Sequence, residues 1–177
     1  MYYLRKITRG KWPSEESIPQ ATLENVDADT VVAEFRTEKN KLSVWKVENE
    51  EDLNDAFIAL ASNCESIGTI DAIKIEEDDL KQLMFDEELG DTPTRNINQK
   101  HCNIVGLNYV NLGNVIQGIL NGLKKEQVVR KTKPKIKQLL ADAYEADKLI
   151  EEEIAPGVMR DIRNTIEKRN NSERLHN

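Results

Sequence analysis

His101 and Cys102 are neighbours in "NQKHCNIV", and imidazole and thiol are the side chains best suited to acid–base or nucleophilic work near neutral pH. A Cys–His pair functions only if the imidazole reaches the thiol and holds it as thiolate. Adjacent residues of an extended segment project to opposite faces. The expectation is therefore a structural histidine beside a half-buried cysteine. Zinc needs three or four ligands at suitable spacing. Only Cys64, far upstream, and His176, in a tail expected to fray, could join these two. No metal and no cofactor is expected.

Asp147 is the other candidate. Counting about 100° per residue from Ile136 places it in the middle of a stripe formed by Leu139, Leu140, Ala143, Ala146, Ile150 and Ile154. A carboxylate there is costly unless it is paired or hydrogen-bonded. Pairing with Arg or Lys, or a turn that leaves Asp147 wet, is the preferred reading, and a poised acid is the sharper one. Arg95 lies with His101 in the polar stretch 86–103. Asp147, Arg95 and His101 make up a possible polar site.

Charge is sorted along the chain. Fifteen acidic residues stand against Lys74 and Lys81 between Glu48 and Asp91. The stretch "KKEQVVRKTKPKIK" carries Lys124, Lys125, Arg130, Lys131, Lys133, Lys135 and Lys137 against Glu126 alone. Solvated faces that meet each other in the fold are the plain reading. An interaction surface is the sharp one, with these seven cations and Trp12 as contact residues. Trp12, beside Pro13, would be a hot spot if exposed, whereas Trp45 lies in an inner strand and reads as core. The basic stretch has no interleaved aromatics to stack bases, so nucleic acid is a weaker alternative partner.

Familiar catalytic patterns are missing. The eight glycines form neither G-x-G-x-x-G nor G-x-x-x-x-G-K-[ST], and no G-x-S-x-G occurs. "GILNG" at 118–122 is a close-packing spacing. Carboxylates are plentiful, so a motif-free acidic site that includes loop 92–103 remains the enzymatic alternative.

Several elements must position these groups. Residues 2–8 and 42–47 read as strands, and 68–75 as an isoleucine-rich third. Asn49 is suited to cap a helix whose first turn, Glu50–Glu51–Asp52, favours the positive end of the helix dipole. Leu53, Ala56, Phe57, Leu60 and Ala61 form its apolar face. "EEDD" opens a short helix through Leu80, Leu83 and Met84. Residues 28–35 fit period two or period 3.6, and the helical reading, with Asp27 as cap, is preferred. "TEKNK" reads as a turn with Asn40 left-handed. Asn111 is expected to cap a helix through Leu123, and Pro134 to open one reaching Ile154. A last amphipathic piece uses Val158, Met159, Ile162 and Ile166.

At 177 residues, with 38% hydrophobic and 32% charged side chains and net charge −7, a modest core under a heavily solvated surface is expected. "MYYLRKITRGKW" has no apolar signal region, and no window approaches a membrane span. A reducing, cytoplasmic setting follows as the expectation. The fold expected is α/β or α+β: a three-stranded sheet with packed helices, crossing over in parallel fashion, then a C-terminal helical segment. The expected parts are an α/β unit over 1–90, a polar connection over 91–107 and helices over 108–177. The function expected is a non-catalytic interaction module, such as an accessory subunit, inhibitor or antitoxin- or immunity-like protein, with a protein partner and no membrane association.

Overall fold

The computed structural model describes residues 1–35 and 39–174; Thr37 and Glu38 of the expected "TEKNK" turn, and His176, lie outside the described residues. The architecture is α+β. Six strands form one antiparallel sheet: β1 (Tyr2–Ile7), β2 (Leu42–Val47), β3 (Ile70–Glu76), β4 (Met84–Asp86), β5 (His101–Val105) and β6 (Val128–Lys131), in the order β4-β5-β2-β1-β3-β6. Six helices accompany them among the described residues: α1 (Ala28–Glu34), α2 (Glu50–Ser62), α3 (Glu77–Leu80), α4 (Tyr109–Lys124), α5 (Lys133–Glu145) and α6 (Pro156–Arg174).

The expected three strands are present but do not pair as expected. β2 and β3 do run parallel to each other through the α2 crossover. β1 lies between them, however, and pairs antiparallel with both, Leu4 facing Trp45 on one side and Lys74 on the other. The chain's first segment thus fills the gap that a direct parallel ladder would have closed. Three further strands enlarge the sheet. β5 arises in the stretch read as loop, β4 continues from the short α3, and β6 emerges from the middle of the basic run. The segment from 108 onward is therefore not purely helical.

Strand alternation divides the core into two layers. On one face Leu4, Trp45 and Val47 meet Phe57 of α2, Leu140 of α5 and Ile162 of α6. On the other, Tyr3, Ile7, Val44 and Ile73 meet Val115, Ile119 and Leu123 of α4, with Leu80 of α3 and Phe35 beyond α1. The "GILNG" spacing has a structural use here. A Cβ at Gly122 would lie 2.8 Å from the backbone oxygen of Lys74, and one at Gly118 2.9 Å from Ile75, so the two glycines allow α4 to lie directly on β3.

Asn49 caps α2 as expected. Its Oδ1 accepts from the Asp52 N–H at 3.0 Å, while Asp52 Oδ2 accepts from the Glu48 N–H at 2.9 Å. The α4 cap is Asn108, three residues earlier than expected; its Oδ1 accepts from Val110 and Asn111. α5 stops at Glu145, well short of Ile154. Asp147 takes φ 54°, and N–H groups of Asp147 and Lys148 donate back to Tyr144 O and Ala143 O. That pair of bonds is the Schellman termination. α4 ends the same way, with Glu126 at φ 55° and bonds from Glu126 and Gln127 to Leu123 O and Gly122 O. Neither helix uses the glycine that normally announces such an end. The sheet and its two helical layers leave one part of the first face uncovered, beyond the last turn of α2.

Candidate functional site

The basic stretch is spread over three elements, and much of its charge is used within the chain. Lys125 Nζ reaches Glu76 at 2.5 Å, Arg130 reaches Asp71 at 3.3 Å, Lys131 reaches Glu50 at 3.4 Å and Lys137 reaches Asp161 at 2.8 Å. Lys124, Lys133 and Lys135 are exposed and have no ion pair among the described residues. Trp12 does not serve as an exposed contact: it is 4% exposed and packs edge-on to Phe35. Trp45 is core, as read.

The polar trio divides. Asp147 is not on an apolar face, because the helix ends before it. Its side chain is 87% exposed and lies 3.5 Å from Arg95 Nε. His101 keeps other company: Nδ1 is 2.8 Å from the backbone oxygen of Glu88, and the ring stands edge-on to Trp45. Cys102 points away from His101 into the second layer. Burial pushes its thiol up to about 11, so it is not a ready nucleophile. Among the described residues no three His, Cys, Asp or Glu side chains converge as a metal site would require.

His101 borders a cleft of about 590 Å³. The floor is made by the core-facing positions of three adjacent strands near the end of α2: Lys6 of β1, Ser43 of β2 and Asn103 of β5. Further along β1 and β2 the same face carries Leu4 and Trp45, which the helices cover. At Lys6 and Ser43 that cover has ended, and both side chains are exposed. One wall is the last turn of α2 with Leu60, Asn63 and Cys64. The facing wall is a strap, Glu88–Thr92.

The strap is anchored at several points. Glu88 accepts from Lys41 Nζ at 2.7 Å and from Asn103 Nδ2 at 3.0 Å, and Gly90 N–H donates to Asn98 O. Lys41 also meets Asp86 at 3.1 Å. The hydrogen bond from Lys41 holds the Glu88 carboxyl below its usual range, and Glu88 with Asp86 raises the Lys41 ammonium. A Cβ at Gly90 would meet Asn98 at 2.7 Å and Trp45 at 3.2 Å, so the strap can lie flat on Trp45 only with glycine there. Leu89 is left exposed at the mouth.

A second feature lies at the open edge of the sheet. β4 is a three-residue edge strand, and Met84 at its start is 62% exposed. Its methyl tip rests against Gly106, in the turn that leads to α4. There Tyr109 and Val110, the first two residues of α4, are 96% and 74% exposed. Three large apolar side chains thus lie bare around one corner. Single exposed apolar residues are ordinary, whereas grouped ones mark contact surfaces.

Comparison with protein-family models, with curated proteins and with solved structures returned no match. Apart from His101 and the loop 92–103, neither the residues of the cleft nor those of the corner stand out in the sequence. A signal for the cleft existed: Lys6 and Ser43 interrupt the alternation of Leu4 and Trp45 on a face that is otherwise buried. A signal for the corner was weaker, namely two large side chains directly after the capping Asn108.

Proposed function

We propose that the protein is a non-catalytic interaction module that docks a partner protein at the corner formed by Met84, Tyr109 and Val110. The observation that supports this reading is the near-complete exposure of Tyr109 beside two further bare apolar side chains at an unpaired strand edge. Tyrosine and methionine are enriched in interface cores because they bring much contact area at little conformational cost. Among the described residues no strand pairs with the outer side of β4, and such an edge can accept an extended segment. The partner that fits is one offering an apolar recess for Tyr109 and a short strand alongside Met84–Asp86.

The paired cations of the basic stretch favour this corner over the 124–137 region as the contact. Four of those seven side chains already hold carboxylates within the chain. The test is a tagged full-length chain expressed in its own cells, compared with the Tyr109→Ser/Val110→Ser double variant and with Lys133→Ala/Lys135→Ala. One stoichiometric partner, or a second copy seen by sedimentation, should be kept by the lysine variant and lost by the corner variant. A strict monomer that retains nothing, or a partner lost only with the lysines, sinks the reading.

A further inference from the structure

The cleft is separate from the corner, and its chemistry stands without the docking reading. Its floor is positively charged. The Lys6 ammonium stands exposed there, and Lys39 lies at the rim. Below the floor, Arg5 projects to the other side of β1 and donates to Ser43 O at 2.9 Å and Glu34 O at 2.8 Å. Among the described residues none of these three cations has a carboxylate within ion-pair distance, whereas Lys41 is taken by Asp86 and Glu88. Of the two lining carboxylates, Glu88 is held by Lys41, and both Glu88 and Asp91 sit on the strap rather than the floor. The α2 wall shows the carbonyl end of its helix, which disfavours an anion, so the floor is where a negative group belongs. Two apolar side chains also line the cleft, half-buried Leu60 on the α2 wall and exposed Leu89 on the strap. The volume of about 590 Å³ is that of a small-molecule site.

We propose that this cleft binds a small organic anion, its carboxylate or phosphate head against Lys6 and its apolar body between Leu60 and Leu89. Ser43 and Asn63 supply further hydrogen-bonding groups around the head.

The test is a titration of the full-length chain followed by protein NMR, with hexanoate, hexyl phosphate, inorganic phosphate and hexan-1-ol as probes. Hexanoate or hexyl phosphate should shift the amides of Lys6, Ser43 and Leu89 saturably, with Kd about 1 mM or tighter. The better of the two tells whether a carboxylate or a phosphate is preferred. Lys6→Met should weaken it about tenfold or more, as expected for loss of a hydrogen bond to a charged group. Leu89→Ser should weaken it by about threefold to tenfold, the span of a lost apolar contact. Both positions are exposed, so the variants should melt with the wild type, and the melting curves check this. The proposal is overturned if neither anion saturates by about 20 mM, if hexan-1-ol binds as well as the anions, if inorganic phosphate alone matches hexyl phosphate, or if Lys6→Met changes nothing.

Discussion

The two ends of the sheet handle their surface in opposite ways. At the β3–β6 end both faces are covered, by α4 on one side and by α5 and α6 on the other, and the charges around them pair from element to element. Lys137 of α5 joins Asp161 of α6, Lys125 joins Glu76, and Arg130 joins Asp71. At the β4–β5–β2 end the helical cover of the first face stops with α2, and a strap of chain replaces it. There Lys6, Ser43, Leu89, Met84 and Tyr109 are left bare. A dense run of like charge in the sequence therefore marks the part of the molecule that is largely satisfied internally. The part that offers groups to others has no conspicuous composition.

That contrast can be broken most directly by removing packing. Phe57, fully buried where α2 meets the sheet, should cost about 3–5 kcal/mol on truncation to Ala, and Leu89→Ala at the cleft should stay within about 0.5 kcal/mol. Urea unfolding of both variants measures the difference; equal losses would show that the strap is as structural as the core. A smaller effect of opposite sign is expected at the helix ends. Glu126 and Asp147 adopt left-handed backbone conformations that glycine takes without steric cost. Glu126→Gly should raise stability by about 0.5–1 kcal/mol, and failure to do so would count against the left-handed termination of α4.

The smallest effect concerns acid. Lys137 Nζ donates to Asp161 at 2.8 Å and holds that carboxyl below its ordinary 3.8. A depressed folded value contributes stability that is complete above the unfolded value and is lost as pH falls through the folded one. Thermal stability should therefore decline from about pH 4 downward, and Asp161→Asn should flatten that decline by about 0.5 kcal/mol. Glu88 is depressed by Lys41 in the same direction, but it is exposed at the strap. Glu88→Gln should alter the profile less, and raising salt to about 1 M should erase its share first. A larger acid effect at Glu88 than at Asp161 would reverse the comparison.

Local signals were readable where they are short-range. Asn49 and its acidic first turn, the apolar face of α2 and buried Trp45 follow from periodicity and capping; α1 does follow Asp27, but the Asp27 side chain makes no capping hydrogen bond and Val32 of the expected apolar face is exposed. β5 was not readable because its central residues Cys102, Asn103 and Ile104 are buried on both faces, and Asn103 there breaks any simple alternation. β6 is four residues inside a run whose charge dominated the reading. The α5 end was missed because its left-handed residue is Asp147 rather than glycine, and that error alone put Asp147 on an apolar stripe.

The sequence by itself determined the Asn49 cap of α2, the period of each main helix and which strand residues are apolar, because these depend on neighbours a few positions away. Tertiary structure alone decided that β1 enters between β2 and β3, which carboxylate each lysine finds, and where the helical cover stops. Those outcomes depend on contacts between segments tens of residues apart, whose mutual fit no local pattern encodes. The cleft exists for that reason: Lys6, Ser43 and Asn103 become neighbours only when three strands align and one helix ends short of them.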